Sequence, residues 1–472
     1  MLSISQNFGI ATLSRLILGG ISLVIVGILT RTLGPTGYGH YSLIFAYLFV
    51  VTALADLGLY TVLVREISLS GAAEKNITSN IFTLRLVAVV LFSLFGVLVS
   101  LFLPYPSQVR LGILVASLFA VFSSLVQVLT GIFQKYLKLY YVSLADVVAR
   151  GLQLILVMTA VRLKAELVIF IWIVAISELV HFLLVYGFSR KLIRVGLKLD
   201  FDYWAKILRT ALPIALSLVF TLLYFKLDTV LLSLMKPASD VGIYSVAYKI
   251  LEVVIFLPAI YVGLVMPVLS RHAFENRPEF IRTFRRSFDT LAIFAIPTMA
   301  YLFFQAEDII RIISGSGFPQ SVLVLQILSG AVMLIFFGNL GGNALVALDL
   351  QKKGMWIYFS GAAFNIATNL ALIPKYTYLA TAWTTMLTEL LITLAMFWLI
   401  KKETQVSPLP GVFLKAVGAA AITAAVVHPL NLDLALATSL SLIYIPILFL
   451  MGGFTVENLR AAFYSKIRDP IG

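Results

Sequence analysis

LGPTGYGHYS occupies residues 33–42, and MKPASDVGIYS occupies residues 235–245. Each sets a proline and then a Gly-x-Tyr-Ser between two long apolar runs, and the copies lie about two hundred residues apart. A turn written twice at that distance points to an internal repeat. The flanking runs say what is repeated, because they are long enough to cross a bilayer core, which takes about 20 helical residues. LGILVASLFAVFSSLVQVLTGIFQ (111–134), for example, carries no charge. Of 472 residues, 61% are hydrophobic and 12% charged, with mean hydropathy +1.01. A soluble chain carries roughly 25% charged residues, so the composition reads as a polytopic membrane protein.

Few segments alternate with the period of two that a membrane barrel strand requires, and a helix satisfies its own backbone in lipid. The fold class is therefore all-α. Fourteen transmembrane helices are predicted, near 10–32, 40–63, 81–103, 110–134, 142–162, 166–188, 207–234, 241–269, 286–305, 321–347, 355–373, 377–399, 411–429 and 433–452. The first lacks a basic leader and a small-residue cleavage site, so it is expected to belong to the mature chain. The chain has no cysteine, which removes disulfides, thiol chemistry and cysteine metal sites from consideration.

Basic residues fix the expected orientation. With the amino terminus in the cytoplasm, 22 of the 35 Lys and Arg fall in cytoplasmic loops and tail, seven on the other side and six within spans. That asymmetry over short loops is a positive-inside signal, and it places both termini in the cytoplasm. The net charge of +13 is then a matter of topology and lipid headgroups rather than nucleic acid.

Further pairs keep the offset of the doubled turn. ISELVHFLLVYGFSRK (176–191) places Glu178 twelve residues before Arg190, and LTELLITLAMFWLIKK (387–402) places Glu389 twelve before Lys401. GIFQKYLKLYY (131–141) and ALVALDLQKKGMW (344–356) each join a fourth helix to a fifth across a short basic loop. The chain is accordingly divided into a six-helix lobe (1–200), a second six-helix lobe (201–402) and an appended helix pair with a cytoplasmic tail (403–472). An even number of helices per lobe makes the repeats parallel, with their axis along the membrane normal. This is a transporter architecture in which lobes rock about a shared site; duplication that merely built a large bundle is the other reading.

ILTRTLGPTGYGHYSLIFAY (28–47), LADLGLY (54–60), FKLDTVLLSLMKPASDVGIYSVAYKI (225–250), FNIATNLALIPKY (364–376) and ATAWTTMLTELL (380–391) resemble, in order and spacing, the polysaccharide-export flippases. These are the O-antigen (Wzx-type) members of the superfamily that also holds multidrug and toxin extrusion transporters and the lipid II flippase. The resemblance implies a V-shaped pair of lobes that moves a polyprenyl-diphosphate-linked oligosaccharide from the cytoplasmic to the outer leaflet of the cell membrane by alternating access. It implies as partners that substrate, membrane lipids, H+ or Na+ as a coupling ion, and a polysaccharide polymerase or other assembly proteins. Such members commonly have twelve helices; the extra pair is similar in number to the lipid II branch, which keeps a lipid II-type flippase open.

Ionisable groups inside spans are the candidate site residues. Arg15, Gly19, Ser22 and Thr30 follow helical spacing down one side of the first helix, with Arg31 at its outer end. A guanidinium presents a planar fork of donors that fits phosphate oxygens, so Arg15 and Arg31 are candidates for a diphosphate headgroup. Snorkelling to the inner interface is the alternative for Arg15, and anchoring the Gly-Pro turn or gating for Arg31. Ser217, Thr221, Tyr224 and Asp228 share a face of the seventh helix, and Lys226 points roughly opposite, since two residues turn a helix by about 200°. The resemblance implies headgroup contact for Lys226 and ion coupling for Asp228; a buried polar lock is the alternative for Asp228. Lys249 is a further headgroup candidate, or a partner for Glu252 at i, i+3. Asp56 is a coupling or gating candidate, or the cap of a helix break before Gly58. Asp146 and Arg150 have the spacing of an intrahelical pair. Glu178 and Glu389 are expected to seat helix ends, with an acidic coupling site as the alternative, and Asn365 and Asn369 to hold helices together, with sugar binding as the alternative. Arg85, Arg110 and Lys415 are read as snorkelling, and Pro213, Pro258, Pro267 and Pro297 as kinks.

Other chemistry finds little footing. His40, His181, His272 and His428 lack metal-ligand spacing, and SGSGF (314–318) is too short for a nucleotide fingerprint. Neither a cofactor nor a metal is expected. Cation-coupled multidrug export is the alternative function, although such an exporter would set carboxylates against cationic drugs. A glycosyl-transfer enzyme would present a large outer loop with catalytic groups, whereas the longest expected here is about 15 residues near 306–320. The reading is a transporter, not an enzyme.

Overall fold

The computed structural model describes residues 4–56, 58–69, 74–407, 409–430 and 432–454, and for residues 4–12, 69, 210 and 212–225 the backbone alone. Every regular element among the described residues is helical. In chain order these are α1 (Ile4–Asp56), α2 (Leu59–Leu69), α3 (Glu74–Phe102), α4 (Ser107–Lys135), α5 (Tyr140–Arg162), α6 (Leu167–Ser189), α7 (Phe201–Met235), α8 (Ala238–Val254), α9 (Phe256–Glu275), α10 (Arg277–Phe304), α11 (Ala306–Ser314), α12 (Ser321–Ala347), α13 (Gln351–Thr404), α14 (Pro410–Val427), α15 (Leu434–Ser441) and α16 (Tyr444–Leu450). Ten helices among the described residues are long and apolar enough to cross a membrane. This is a multi-pass membrane protein.

Two of the ten are doubled. Gly34 (φ 64°, ψ −176°) interrupts α1, and Thr377 (φ 54°, ψ −135°) interrupts α13. Both interruptions fall where the sequence places a connection between spans. At the first, glycine takes the left-handed φ without a Cβ penalty, and Pro35 then opens the next helix at a position whose N–H would have had no partner. The connection is a single residue, not a loop. Gly58 (φ 66°) makes a similar break between α1 and α2.

The expected loop near 306–320 is corrected, because it contains α11. Glu307 and Asp308 sit in the first turn of that helix, where the helix dipole favours negative charge. Ile309 and Ile310 bury the opposite face. Pro267 and Pro297 lie inside α9 and α10, which continue through them.

Contacts group the chain into two compact units, a division different in kind from the repeat-based lobes. One comprises Met1–Lys249, Ile313–Phe318 and Tyr358–Thr384. Its core joins α2, α3, α4, α6 and the start of α7 through Leu63, Ile81, Leu129, Phe133, Val185 and Ile207. Along α3, Leu91, Phe95, Leu98 and Phe102 are all more than half exposed. A contiguous apolar face of this kind would aggregate in water; on a membrane helix it is the lipid contact. The segment after α6 runs along α3 without secondary structure. Its Gly196 N–H donates to Ser79 Oγ (3.1 Å) and its Lys198 N–H to Thr83 Oγ1 (2.8 Å), so two hydroxyls one turn apart accept from backbone that has no ladder of its own.

The other unit comprises Ile250–Ile312, Pro319–Ile357 and Thr385–Gly472. Phe288 of α10 stacks on Phe337 of α12 (4.7 Å between ring centroids) and meets Phe397 of α13 edge-on (5.8 Å). Lys353 pairs with Glu403 at 2.5 Å, joining the start of α13 to its end.

Candidate functional site

The two copies of the doubled turn touch each other. A β-carbon built on Gly39 would stand 1.7 Å from the Ala238 carbonyl oxygen and 3.0 Å from the Gly242 amide nitrogen. One built on Gly242 would stand 2.1 Å from the Pro35 carbonyl oxygen and 3.1 Å from the Gly39 amide nitrogen. Pro35 precedes Gly39 by four residues, as Ala238 precedes Gly242. The contact is therefore reciprocal, each helix start lying against the glycine of the other copy, which is the pattern of a two-fold axis. Only glycine permits backbones to approach so closely.

Two further connections meet this contact. Arg31, at the end of the first half of α1, donates from Nη1 to the carbonyl oxygens of Ile313 (2.7 Å) and Gly27 (2.9 Å). Gly315 (φ 78°) lies against the Arg31 stem, and the buried Phe318 meets Tyr38 edge-on at 6.3 Å. Lys236, just ahead of the second copy, donates to the Pro374 carbonyl (2.8 Å), three residues before Thr377. Arg31 thus holds the segment 313–315 against the first half of α1.

Asp56 and Arg85 form one buried cluster. Arg85 Nη1 donates to Asp56 Oδ1 (2.5 Å) and to the Ala55 carbonyl (3.0 Å), Nη2 to Gln127 Oε1 (2.7 Å) and Nε to Ser124 Oγ (2.5 Å). The snorkelling reading of Arg85 is thereby corrected: its side chain is 3% exposed. The physical reason is that α1 ends at Asp56, leaving its last carbonyls without intrahelical partners, and lipid offers none. Arg85 supplies the donor.

The remaining candidate cations occupy other neighbourhoods. Arg15 is exposed on α1 and interacts electrostatically with Asp146 of α5. Asp146 also pairs with Arg150 (3.5 Å), whose Nη1 donates to Gln153 (2.9 Å), so the expected intrahelical pair adjoins the expected headgroup residue. Lys226 lies over the Tyr248 ring at 4.7 Å, a cation–π contact. Asp228 is buried, accepting from Tyr244 Oη (2.6 Å) and the Thr229 N–H (2.6 Å). Tyr244 is the tyrosine of the second doubled turn, so Asp228 ties α7 to that contact. Lys249 is half-buried near the end of α8. Ser217, Thr221, Tyr224 and Pro213 lie outside the described side chains. Glu178 has a partner that sequence reasoning missed, His181 at 3.2 Å. Asn369 donates to Asn365 within α13 (3.0 Å). Arg110 Nη2 donates to the Leu103 carbonyl (3.1 Å) and Lys415 Nζ to the Gly452 carbonyl (2.8 Å). Among the described residues no group of three His, Cys, Asp or Glu could hold a metal ion.

Comparison with known proteins follows the same lines. The family described as polysaccharide biosynthesis protein matches residues 4–273, and the MatE family matches residues 213–371. The probable flippase AglR of Haloferax volcanii is 28% identical over 190 residues, 39% of this chain and 40% of AglR. The curated relatives are thus matched over less than half their length, 40% and 18%. The lipid II flippase MurJ in an inward closed conformation is similar with a TM-score of 0.77 over 94% of this chain and 97% of MurJ, at 16% identity. An inward-facing MATE family transporter is similar with a TM-score of 0.65 over 83% of this chain and 94% of its own, at 14% identity. Likeness at such identities concerns the fold.

Proposed function

This chain belongs to the polysaccharide biosynthesis protein family, within the superfamily of the MATE transporters, and from that premise we propose that it is a flippase. It moves a polyprenyl-diphosphate-linked oligosaccharide from the cytoplasmic to the outer leaflet of the cell membrane by alternating access. In this reading the lobes are residues 1–200 and 201–402, the pair within 403–472 is appended, the chain crosses fourteen times, and both termini are cytoplasmic. The observation that carries the proposal is the family match over residues 4–273.

Several features support it. Arg15, exposed on a membrane helix and interacting electrostatically with Asp146, presents guanidinium donors suited to phosphate oxygens. Lys226, Lys249 and Arg31 are assigned to the headgroup path, and Asp56 and Asp228 to coupling or gating with H+ or Na+. An inside-negative potential favours outward movement of an anion by about 2.3 kcal/mol per charge per 100 mV, which suits a diphosphate. Polysaccharide assembly proteins would consume the product.

The MatE match over residues 213–371 favours a second reading, cation-coupled multidrug export. Against it, Asp56 is engaged by Arg85 and Asp228 by Tyr244, which leaves these acids poorly suited to a cationic drug. The test is reconstitution in liposomes with a fluorescent polyprenyl-diphosphate sugar. Leaflet transfer by the parent, weakened in Arg15→Ala and Lys226→Ala, supports the proposal. Absence of transfer together with proton- or sodium-driven dye efflux replaces it with the second reading.

A further inference from the structure

We propose that the doubled turn is the outer closure of the translocation path: Gly39 and Gly242 seal it by reciprocal backbone contact, and Arg31 clasps residues 313–315 across it. The inference rests on the alternating-access reading and on the cytoplasmic placement of the termini, which puts both turns at the outer face.

The contact tolerates no side chain at either glycine. Each glycine meets a backbone carbonyl of the other copy at a distance that would place a methyl 1.7 Å or 2.1 Å from oxygen, and no rotamer relieves a backbone clash. The two helix starts have room to touch only while both positions lack a side chain. Gly20, on the same helix, has nothing within 4 Å of a built β-carbon, so an added methyl there is free of consequence. A seal made of backbone contact with so little tolerance is either formed or parted, the two-position behaviour that gating needs.

Connections around the seal are suited to hold it shut. The Arg31 guanidinium reaches the Ile313 carbonyl at 2.7 Å, and Gly315 at φ 78° lets the chain fold against the Arg31 stem. Phe318 closes on Tyr38. Tyr244 of the second turn carries the contact to Asp228 within α7. A protonation or ion-binding event at Asp228 thus has a covalent and hydrogen-bonded route to the seal that runs through a single side chain.

Ser245 supplies the reporter. It lies one turn beyond Gly242 on α8 and is 8% exposed, and the chain contains no cysteine, so Ser245→Cys introduces one near-isosteric thiol. In right-side-out vesicles, a membrane-impermeant maleimide is expected to label this thiol slowly in the parent. Gly39→Ala, Gly242→Ala and Arg31→Gln, each added to Ser245→Cys, are expected to raise the rate by about tenfold or more, the effect of losing one charge-assisted hydrogen bond from the closed state; Gly20→Ala is expected to leave it unchanged. Arg31→Gln adds no bulk and decides the matter if the glycine variants do not fold. An unchanged rate in Arg31→Gln, an equal rise in Gly20→Ala, or acceleration only from the cytoplasmic side overturns the proposal. Labelling requires no substrate, so a chain that gates as described but fails to flip the fluorescent lipid separates failure of the transport reading from failure of this one.

Discussion

Replacing Arg85 by leucine is the most demanding test of how this bundle tolerates charge. The guanidinium, 3% exposed, is the partner of an Asp56 carboxylate that is itself 12% exposed. Removing one member of a buried pair costs about 3–5 kcal/mol, because the other is left as an uncompensated charge. The Ala55 carbonyl, at an unfinished helix end, also loses its donor, at about 1–3 kcal/mol if nothing replaces it. Ser124 and Gln127, three residues apart on α4, can turn toward each other, so their loss is small and the total is expected at about 4–8 kcal/mol. Removing both charges should be milder than removing one. Asp56→Leu with Arg85→Leu eliminates the orphaned carboxylate and leaves mainly the backbone carbonyl, so the double variant is expected to be more stable than Arg85→Leu alone by about 3–5 kcal/mol. The four corners of the cycle can be measured by SDS-titrated unfolding in mixed micelles. Costs that add to within about 0.5 kcal/mol would refute the assignment, since they would mean that the two groups do not sense each other.

Three further outcomes follow from geometry. Tyr244→Phe removes the 2.6 Å donor of buried Asp228 and is expected to cost about 1–3 kcal/mol in the same unfolding assay, with parent-like stability counting against the lock. Ser79→Ala with Thr83→Ala deletes the acceptors of the Gly196 and Lys198 amides; hydrogen exchange at those two amides should quicken while the interior of α3 stays protected. Tyr203, ahead of the span at 207–234, has its phenol pushed up to about 12 by burial and then by the charges of Glu66 and Asp200. The folded chain therefore holds that proton more tightly than the unfolded one, whose value is about 10. The stability this contributes is complete below pH 10 and lost as pH rises toward 12. Tyr203→Phe should flatten that loss in an alkaline titration, and an unchanged slope would count against it.

Composition and the apolar runs were sufficient for the all-helical membrane class, because hydropathy is a local property of the chain. The doubled turn was legible as a repeat, but not as a contact: nothing in the spacing of Gly39 and Gly242 says that their backbones meet, since that depends on how distant helices pack. Arg85 was misread for a specific reason. With its span taken to begin near residue 81, it sits within reach of the interface; α3 in fact begins at Glu74, which buries Arg85 about three turns from the end. The polar positions Ser124 and Gln127 on the helix that faces it were the available signal. At 306–320 the glycines of SGSGF masked a short amphipathic helix. The torsional breaks within the apolar runs lie at Gly34, Gly58 and Thr377, where the sign of φ rather than a missing N–H decides the turn.

The reciprocal glycine contact also constrains how such a chain can change. In a symmetric homodimer one altered codon would modify both sides of an axial contact together, and the two surfaces could drift in step. Here the sides are encoded separately, about two hundred codons apart, so an altered residue on one meets an ancestral partner on the other. The contact thus consists of two surfaces that must each remain permissive of the other's backbone.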